Sequence, residues 1–306
     1  MRYGLPYQGS KSAIAEWIVN QLPDGDVFVD LFCGGGAVTH YAMMSRKYQQ
    51  FIMNDIDGRL PILFCDCAYG KYTTKTHPEW ISREVFNQRK ADDAYIALVW
   101  SFSNNGTGYL YGADIEAYKH AYHILVFDGD AEPMRQFGID LKMCDFDDAF
   151  RRYSYYSKQI KKIFFDTVHH EHELQSIENL ERLQSLERLQ RLENFERLQS
   201  LAGDYREVKI PDGAVIYCDI PYAGTNCGKY DGFDHDRFYE WALNQQNIFI
   251  SEYSMPEPFI EVADIRKTVL SSGTGCSGKA VEKIFTNPRT YDMYGGICCN
   301  RQLTLF

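Results

Sequence analysis

Apolar residues along this chain gather in short runs that close on turn signals. Val27-Phe28-Val29-Asp30-Leu31-Phe32 ends at Gly34-Gly35-Gly36, and Ala37-Val38-Thr39-His40-Tyr41-Ala42-Met43-Met44, with helical character, follows. The pattern predicts strand, glycine turn and helix. A second strand, Gln50-Phe51-Ile52-Met53, ends at Asn54-Asp55, roughly twenty residues after the turn, where dinucleotide-type folds place a ribose-binding acid. Ala214-Val215-Ile216-Tyr217-Cys218, Asn247-Ile248-Phe249-Ile250-Ser251 and Lys283-Ile284-Phe285-Thr286-Asn287 read as later strands. Strands alternating with helices predict an α/β fold with a doubly wound, Rossmann-like sheet.

The spacing between two strand ends, Asp30 and Asp219, changes this picture. Three strand-helix-strand steps need about 90 residues at roughly 30 each, and about twice that separates them. The reading is a catalytic domain formed by 1–64 and 200–306, interrupted by a mainly helical domain at 65–170. The interruption is aromatic-rich and contains the loop Ser103-Asn104-Asn105-Gly106-Thr107-Gly108. Residues 171–199 read as a separate low-complexity insert, because Leu180, Leu183, Leu186, Leu189, Leu192, Phe195, Leu198 and Leu201 recur every third position. An α-helix turns about 100° per residue, so this spacing drifts about 60° per step and gives no simple coiled-coil seam. The conformation stays open, and a protein partner on the repeat is one reading of it.

With 45% hydrophobic and 24% charged residues among 306, the chain can build a core and is not of disordered composition. It lacks an apolar stretch of about 18 residues and a signal-peptide layout at its start, which predicts a cytoplasmic protein. Nine cysteines at irregular positions do not form a secreted disulfide framework. Cys65, Cys67, Cys298 and Cys299 match no zinc-site spacing, and His169, His170 and His172 beside Glu171 and Glu173 have no matched ligands elsewhere, so no metal is assigned. A net charge of -10 argues against nonspecific nucleic-acid affinity, so any DNA surface must be local. The candidate runs through Arg151, Arg152, Lys158, Lys161 and Lys162 with Tyr153, Tyr155 and Tyr156 interleaved; a solvated helix face is the bland alternative.

The chemistry concentrates at strand ends. The glycine turn lets backbone approach a ligand, and the helix start beyond it favours an anion. Asp55 can accept from ribose hydroxyls, although an acid there can also be a helix cap. Asp219-Ile220-Pro221-Tyr222 places an acceptor, a main-chain carbonyl and an aromatic face together at one strand end. Proline biases Ile220 towards extended backbone, which leaves its carbonyl free to point into a cleft. This set suits an amine substrate.

Asp30-Leu31-Phe32-Cys33-Gly34-Gly35-Gly36 resembles the cofactor motif of DNA methyltransferases, and Asp219-Ile220-Pro221-Tyr222 resembles their DPPY motif, with Ile220 in place of the first proline. The family is the Dam-type adenine DNA methyltransferases. The resemblance implies S-adenosyl-L-methionine as cofactor and transfer of its methyl group to the exocyclic amine of adenine in double-stranded DNA, in a site-specific, restriction-modification type of reaction. It makes 65–170 a target-recognition domain. Leu5-Pro6-Tyr7-Gln8-Gly9-Ser10-Lys11 is similar to the family's amino-terminal cofactor segment, implying contacts from Tyr7 and Lys11. Gly203-Asp204-Tyr205 is similar to the acidic-aromatic pair beside the cofactor adenine. The implied cofactor set is Tyr7, Lys11, Asp30, Phe32, Gly34, Gly36, Asp55, Asp204, Tyr205 and Asp219, and the catalytic set is Asp219, Ile220, Pro221 and Tyr222. The loop from Ser103 to Gly112 loosely matches the family's asparagine- and glycine-rich loop near the target base, bringing in Asn105 and Tyr109 as DNA contacts. The competing readings are an RNA or other amine methyltransferase of the same fold and an inactive cofactor-fold module.

Overall fold

The computed structural model describes residues 3–7, 9–164, 176–193, 195–223, 232–270 and 277–296. They form two compact units, one of Met1–Gly4, Ser10–Ile62 and Leu192–Phe306, the other of Leu5–Gly9 and Leu63–Arg191.

The first unit is built on strands β1 (Val27–Asp30), β2 (Gln50–Asp55), β3 (Leu198–Ala202), β4 (Val215–Asp219), β5 (Ile248–Glu252), β6 (Ile260–Leu270) and β7 (Ser277–Thr286). They make one mixed sheet in the order β3-β2-β1-β4-β5-β7-β6. The first five strands in that order are parallel, while β7 runs antiparallel to both β5 and β6. With helices on both faces, this is an α/β, Rossmann-like fold.

Alternation along each strand feeds two cores. Phe28, Phe51, Val215, Tyr217, Phe249 and Ile284 point to one face, against Ile18 and Val19 of the helix Ala15–Gln21 and Val38 and Ala42 of the helix Ala37–Met44. Val29, Ile52, Ile216, Cys218, Ile250 and Phe285 point to the other, against Phe238 and Ala242 of the helix His235–Leu243. Burial on both faces explains why these strands read as continuous apolar runs.

The second unit is mainly helical. Tyr118, Tyr122, Leu125 and Val126 of the helix Glu116–Phe127 pack with Tyr156 and Ile160 of the helix Ala149–Phe164 and with Ile177 and Leu180.

The leucine repeat does not stand apart as an insert. Leu180, Leu183 and Leu186 lie in the helix Glu178–Glu187 and Leu189 in a 3₁₀ turn, Arg188–Arg191, and all four are buried. A 3₁₀ turn has about three residues per turn, which suits the repeat and corrects the drift of the preceding α-helix. Arg182 of the same segment donates to the carbonyls of Leu98, Val99 and Ser101 at 3.3, 2.8 and 2.6 Å, closing the end of the helix Ala94–Val99. In the first unit the repeat ends as β3. There the odd spacing places Leu198 against one core and Leu201 against the other, as strand alternation requires.

Candidate functional site

β1 and β4 lie side by side, with Asp30 in register with Tyr217, and each ends in an aspartate. From this pair the strand order runs outward in opposite directions, through β2 and β3 on one side and β5 on the other. The crevice at the carboxyl ends of such a pair is where open α/β sheets hold ligands.

The turn after β1 bends through Gly34 and Gly36, at φ 48° and 68°, left-handed values that exclude most side chains. Gly36 precedes the helix Ala37–Met44 as its cap. The N–H of Gly34 donates to Asp55 Oδ2 at 2.8 Å, and the N–H of Asp57 donates to Asp55 Oδ1 at 2.9 Å. Asp55, expected as a ribose acceptor, therefore also braces the glycine turn; a carboxylate oxygen can accept from more than one donor, so the two roles are compatible. The amino-terminal segment closes on the same turn: a Cβ at Gly4 would lie 2.5 Å from the Gly35 carbonyl oxygen. Gly4 N–H donates to His40 Nδ1 at 3.0 Å, and burial pushes the His40 pKa down to about 4, which keeps that nitrogen an acceptor.

Asp30 is 1% exposed. Its Oδ2 accepts from the Thr39 hydroxyl at 2.7 Å, whereas its Oδ1 is buried without a hydrogen-bond partner. Burial raises its pKa to about 7; the Thr39 hydrogen bond opposes the rise, and the negative charges of Asp219 and Asp55 add to it.

At the end of β4, Lys11 Nζ lies 2.7 Å from Oδ1 and 2.8 Å from Oδ2 of Asp219, and 3.7 Å from Glu282 Oε1. It also sits 4.8 Å from the centre of the Tyr222 ring. Burial pulls the Lys11 pKa down, but the neighbouring charges of Asp219 and Glu282 outweigh it and leave the ammonium above its ordinary value. The Tyr222 hydroxyl donates to Glu282, and its ring meets Tyr253 edge-on at 4.6 Å. Ile220 is buried among the residues of its face of the sheet, and the Pro221 carbonyl accepts from His235 Nε2 at 2.7 Å. Beyond the motif, Ala223 N–H donates to Glu252 Oε2 at 3.1 Å. The structure thus brings Lys11, Asp30, Gly34, Gly36, Asp55, Asp219 and Tyr222 to one edge of the sheet.

Phe32 and Tyr205 meet with ring centres 5.2 Å apart and share neighbours Phe233 and Phe238. Asp204 caps the short turn that holds Tyr205 and is paired with Arg206, whose hydrogen bonds hold its carboxyl down at about 2. Tyr7 lies within Leu5–Gly9, which groups with the second unit.

Sequence reasoning missed Glu282, Glu252, His40 and His235. For Glu282 there was a signal: a charged residue within the apolar strand run Ala280-Val281-Glu282-Lys283-Ile284-Phe285.

In the second unit the candidate DNA residues separate by environment. Arg151, Lys158 and Lys162 are exposed on the helix Ala149–Phe164, opposite buried Tyr156 and Ile160, because spacings of seven and four return to one helical face. Lys161 is exposed on the flank of that face. Arg152 departs from expectation: its guanidinium donates to the carbonyls of Phe146, Val126 and Phe127 at 2.6, 3.1 and 2.5 Å. Those bonds spend its donors on loop and helix-end carbonyls. Asn105 is exposed and accepts from Thr107, whereas Tyr109 is buried, donating to the Ile81 carbonyl at 2.7 Å beneath the Arg83 guanidinium. Tyr109 holds the loop from within instead of facing solvent.

Cys65 and Cys67 form no disulfide among the described residues; Cys298, Cys299, His169, His170 and His172 lie outside them. Among the described residues, no helix is long and apolar enough to cross a membrane.

Residues 7–88 match the family model of the D12 class N6 adenine-specific DNA methyltransferases. The matched stretch contains Lys11, the glycine turn and Asp55. Comparison with curated proteins gave no match.

Proposed function

We infer that this chain, whose residues 7–88 match the adenine-specific DNA methyltransferase family model, brings S-adenosylmethionine together with an extruded adenine in the crevice between the ends of β1 and β4. The family fixes the reaction class, methylation of the adenine exocyclic amine in DNA. The observation that supports this location is the pairing of β1 with β4, which sets Asp30 beside the glycine turn on the strand next to Asp219.

The residues suit the cofactor. Asp30 Oδ1 is a buried acceptor in need of a donor, as the ammonium of an amino acid would be, and such a group is costly to leave unmatched. Lys11 and Tyr7 belong to the segment assigned to the methionine portion, Asp55 to the ribose, and Phe32, Asp204 and Tyr205 to the adenine. When bound, S-adenosylmethionine supplies an electrophilic sulfonium methyl.

The target adenine must leave the duplex stack, because its amine is inaccessible within it. Tyr222 offers the flat face on which the extruded base stacks, and the Glu282 carboxylate and Tyr253 ring hold that face still. Asp219 and the Ile220 carbonyl accept from the two amine hydrogens. They draw the nitrogen towards a pyramidal geometry and stabilise the positive charge that grows on it. Fixed acceptors and in-line placement carry the catalysis. The helical unit is assigned to target recognition, with Arg151, Lys158, Lys161 and Lys162 facing phosphates.

Asp219→Ala should lower kcat by about 10²–10³-fold, the range for loss of one preorganised electrostatic group, while calorimetry still detects cofactor binding. Incorporation of labelled methyl groups into duplex DNA, followed by nucleoside mass analysis, checks both the product and the rate. Wild-type methylation of adenine by a folded Asp219→Ala protein would remove this crevice from the mechanism.

A further inference from the structure

Both oxygens of Asp219 are within hydrogen-bonding distance of one ammonium, that of Lys11. A substrate amine gripped by Asp219 competes with that ammonium for the same two oxygens. A second carboxylate waits at 3.7 Å from the same nitrogen, that of Glu282, on the neighbouring stretch of β7. Because β7 is antiparallel to β5, its early residues reach the sheet edge at which β4 and β5 end. Glu282 pairs across to Ile265 of β6 and is fully buried.

Resting on the methyltransferase reading above, we propose that Glu282 is a positioning residue that draws the Lys11 ammonium off Asp219 when the target amine arrives, while fixing the Tyr222 ring through its hydroxyl. A displacement of about 1 Å, itself the scale on which placement alters rate, completes the exchange. The ammonium stays paired throughout, which avoids the large penalty of an unpartnered buried charge. Asp219 is thereby held in orientation before substrate binds, and gains acceptor capacity when substrate binds.

Among the described residues, the groups that face Glu282 include Lys11 from the amino-terminal segment, Tyr217, Asp219 and Tyr222 from β4 and its extension, and Ile265 from β6; Asp264 and Arg266 alternate to the other face of β6, as does Glu252 on β5. Burial raises the Glu282 pKa to about 7, with Lys11 opposing the rise and Asp219 adding to it. Below that pH the carboxyl holds its proton, attracts Lys11 less, and the rate falls.

The test measures kcat, cofactor KM and their pH profiles for wild type and Glu282→Gln, which retains an acceptor for Tyr222 but not the charge. The expected result is a drop in kcat of about tenfold to a hundredfold, a cofactor KM within about threefold, and loss of the acid limb near pH 7. Glu282→Asp should restore part of kcat and keep the limb, and it carries the test if circular dichroism shows Glu282→Gln unfolded. Wild-type kcat and an intact limb in Glu282→Gln overturn the proposal, as does equal loss in both variants. If the wild-type protein itself makes no N6-methyladenine, the functional reading fails first. The exchange is then judged by lysine ammonium ¹⁵N spectra, which overturn it if the Lys11 signal has the same pH dependence in wild type and Glu282→Gln.

Discussion

Among the described residues, Thr39 supplies the hydrogen bonding to the buried carboxyl of Asp30, whose Oδ1 has no partner. Its proton is retained to about pH 7 in the folded chain and released near pH 4 from the unfolded one. The folded state therefore binds the extra proton at intermediate pH and loses stability as pH rises between those values. The penalty at pH 8 reaches about 4 kcal/mol at 1.36 kcal/mol per unit. Asp30→Asn should raise Tm of the ligand-free protein at pH 8 by several degrees, at roughly 2–4 °C per kcal/mol, and by much less at pH 5, while weakening cofactor binding. Calorimetric scans at the two pH values check this; equal changes at both would show that ionisation of Asp30 is not the cause. Residues of this kind were legible where a motif announced them, as at Asp30, Asp219 and Tyr222. Glu282 carried only the signal of a charge inside an apolar run, because its place beside Lys11 depends on the antiparallel return of β7.

The helix Ala149–Phe164 shows how adjacent side chains with the same charge part ways. Lys158 and Lys162 face solvent, whereas Arg152 ties the end of the helix Glu116–Phe127 to the loop at Phe146. Changing Lys158 and Lys162 to Gln should leave Tm within about 1 °C, since exposed substitutions are usually within ±0.5 kcal/mol. The same pair should reduce the salt slope of DNA binding by about 0.9 for each phosphate no longer neutralised. Arg152→Ala should instead lower Tm, because the part-buried carbonyls of Val126 and Phe127 lose a donor. DNA titrations at several salt concentrations, alongside thermal melts, separate the two; an unchanged slope in the double variant returns that face to plain solvation. The sequence showed a basic, aromatic helix, but charge type alone could not distinguish Arg151 from Arg152. The leucine repeat was hidden for another reason. Its constant spacing crosses an α-helix, 3₁₀ turns and a strand, each of which uses a three-residue step differently.

The parallel strands were legible because burial on both faces makes them continuous apolar runs. β6 was not, since the register shift between Glu261 and Ala263 breaks its alternation, and β3 was concealed within the repeat. With a net charge of -10, the molecule relies on local cations for its affinity to DNA. Cofactor binding should couple to folding through mass action, adding about 2.7 kcal/mol at a concentration one hundred times Kd. A thermal shift series with S-adenosylmethionine should show a graded rise in Tm that Asp219→Ala largely retains and Asp30→Asn loses. A flat series in the wild type would contradict the assignment of the cofactor to this crevice.

The chain leaves the sheet after β2 and rejoins it as β3, pairing with β2 from Phe51 opposite Leu198 to Asp55 opposite Ala202. Everything between departs and returns through two adjacent rails at one margin of the sheet, so the intervening polypeptide behaves as a cassette. If that cassette carries target recognition as proposed, exchanging it should change the DNA sequence that is methylated, while the pairing of β1 with β4 lies outside the exchanged segment.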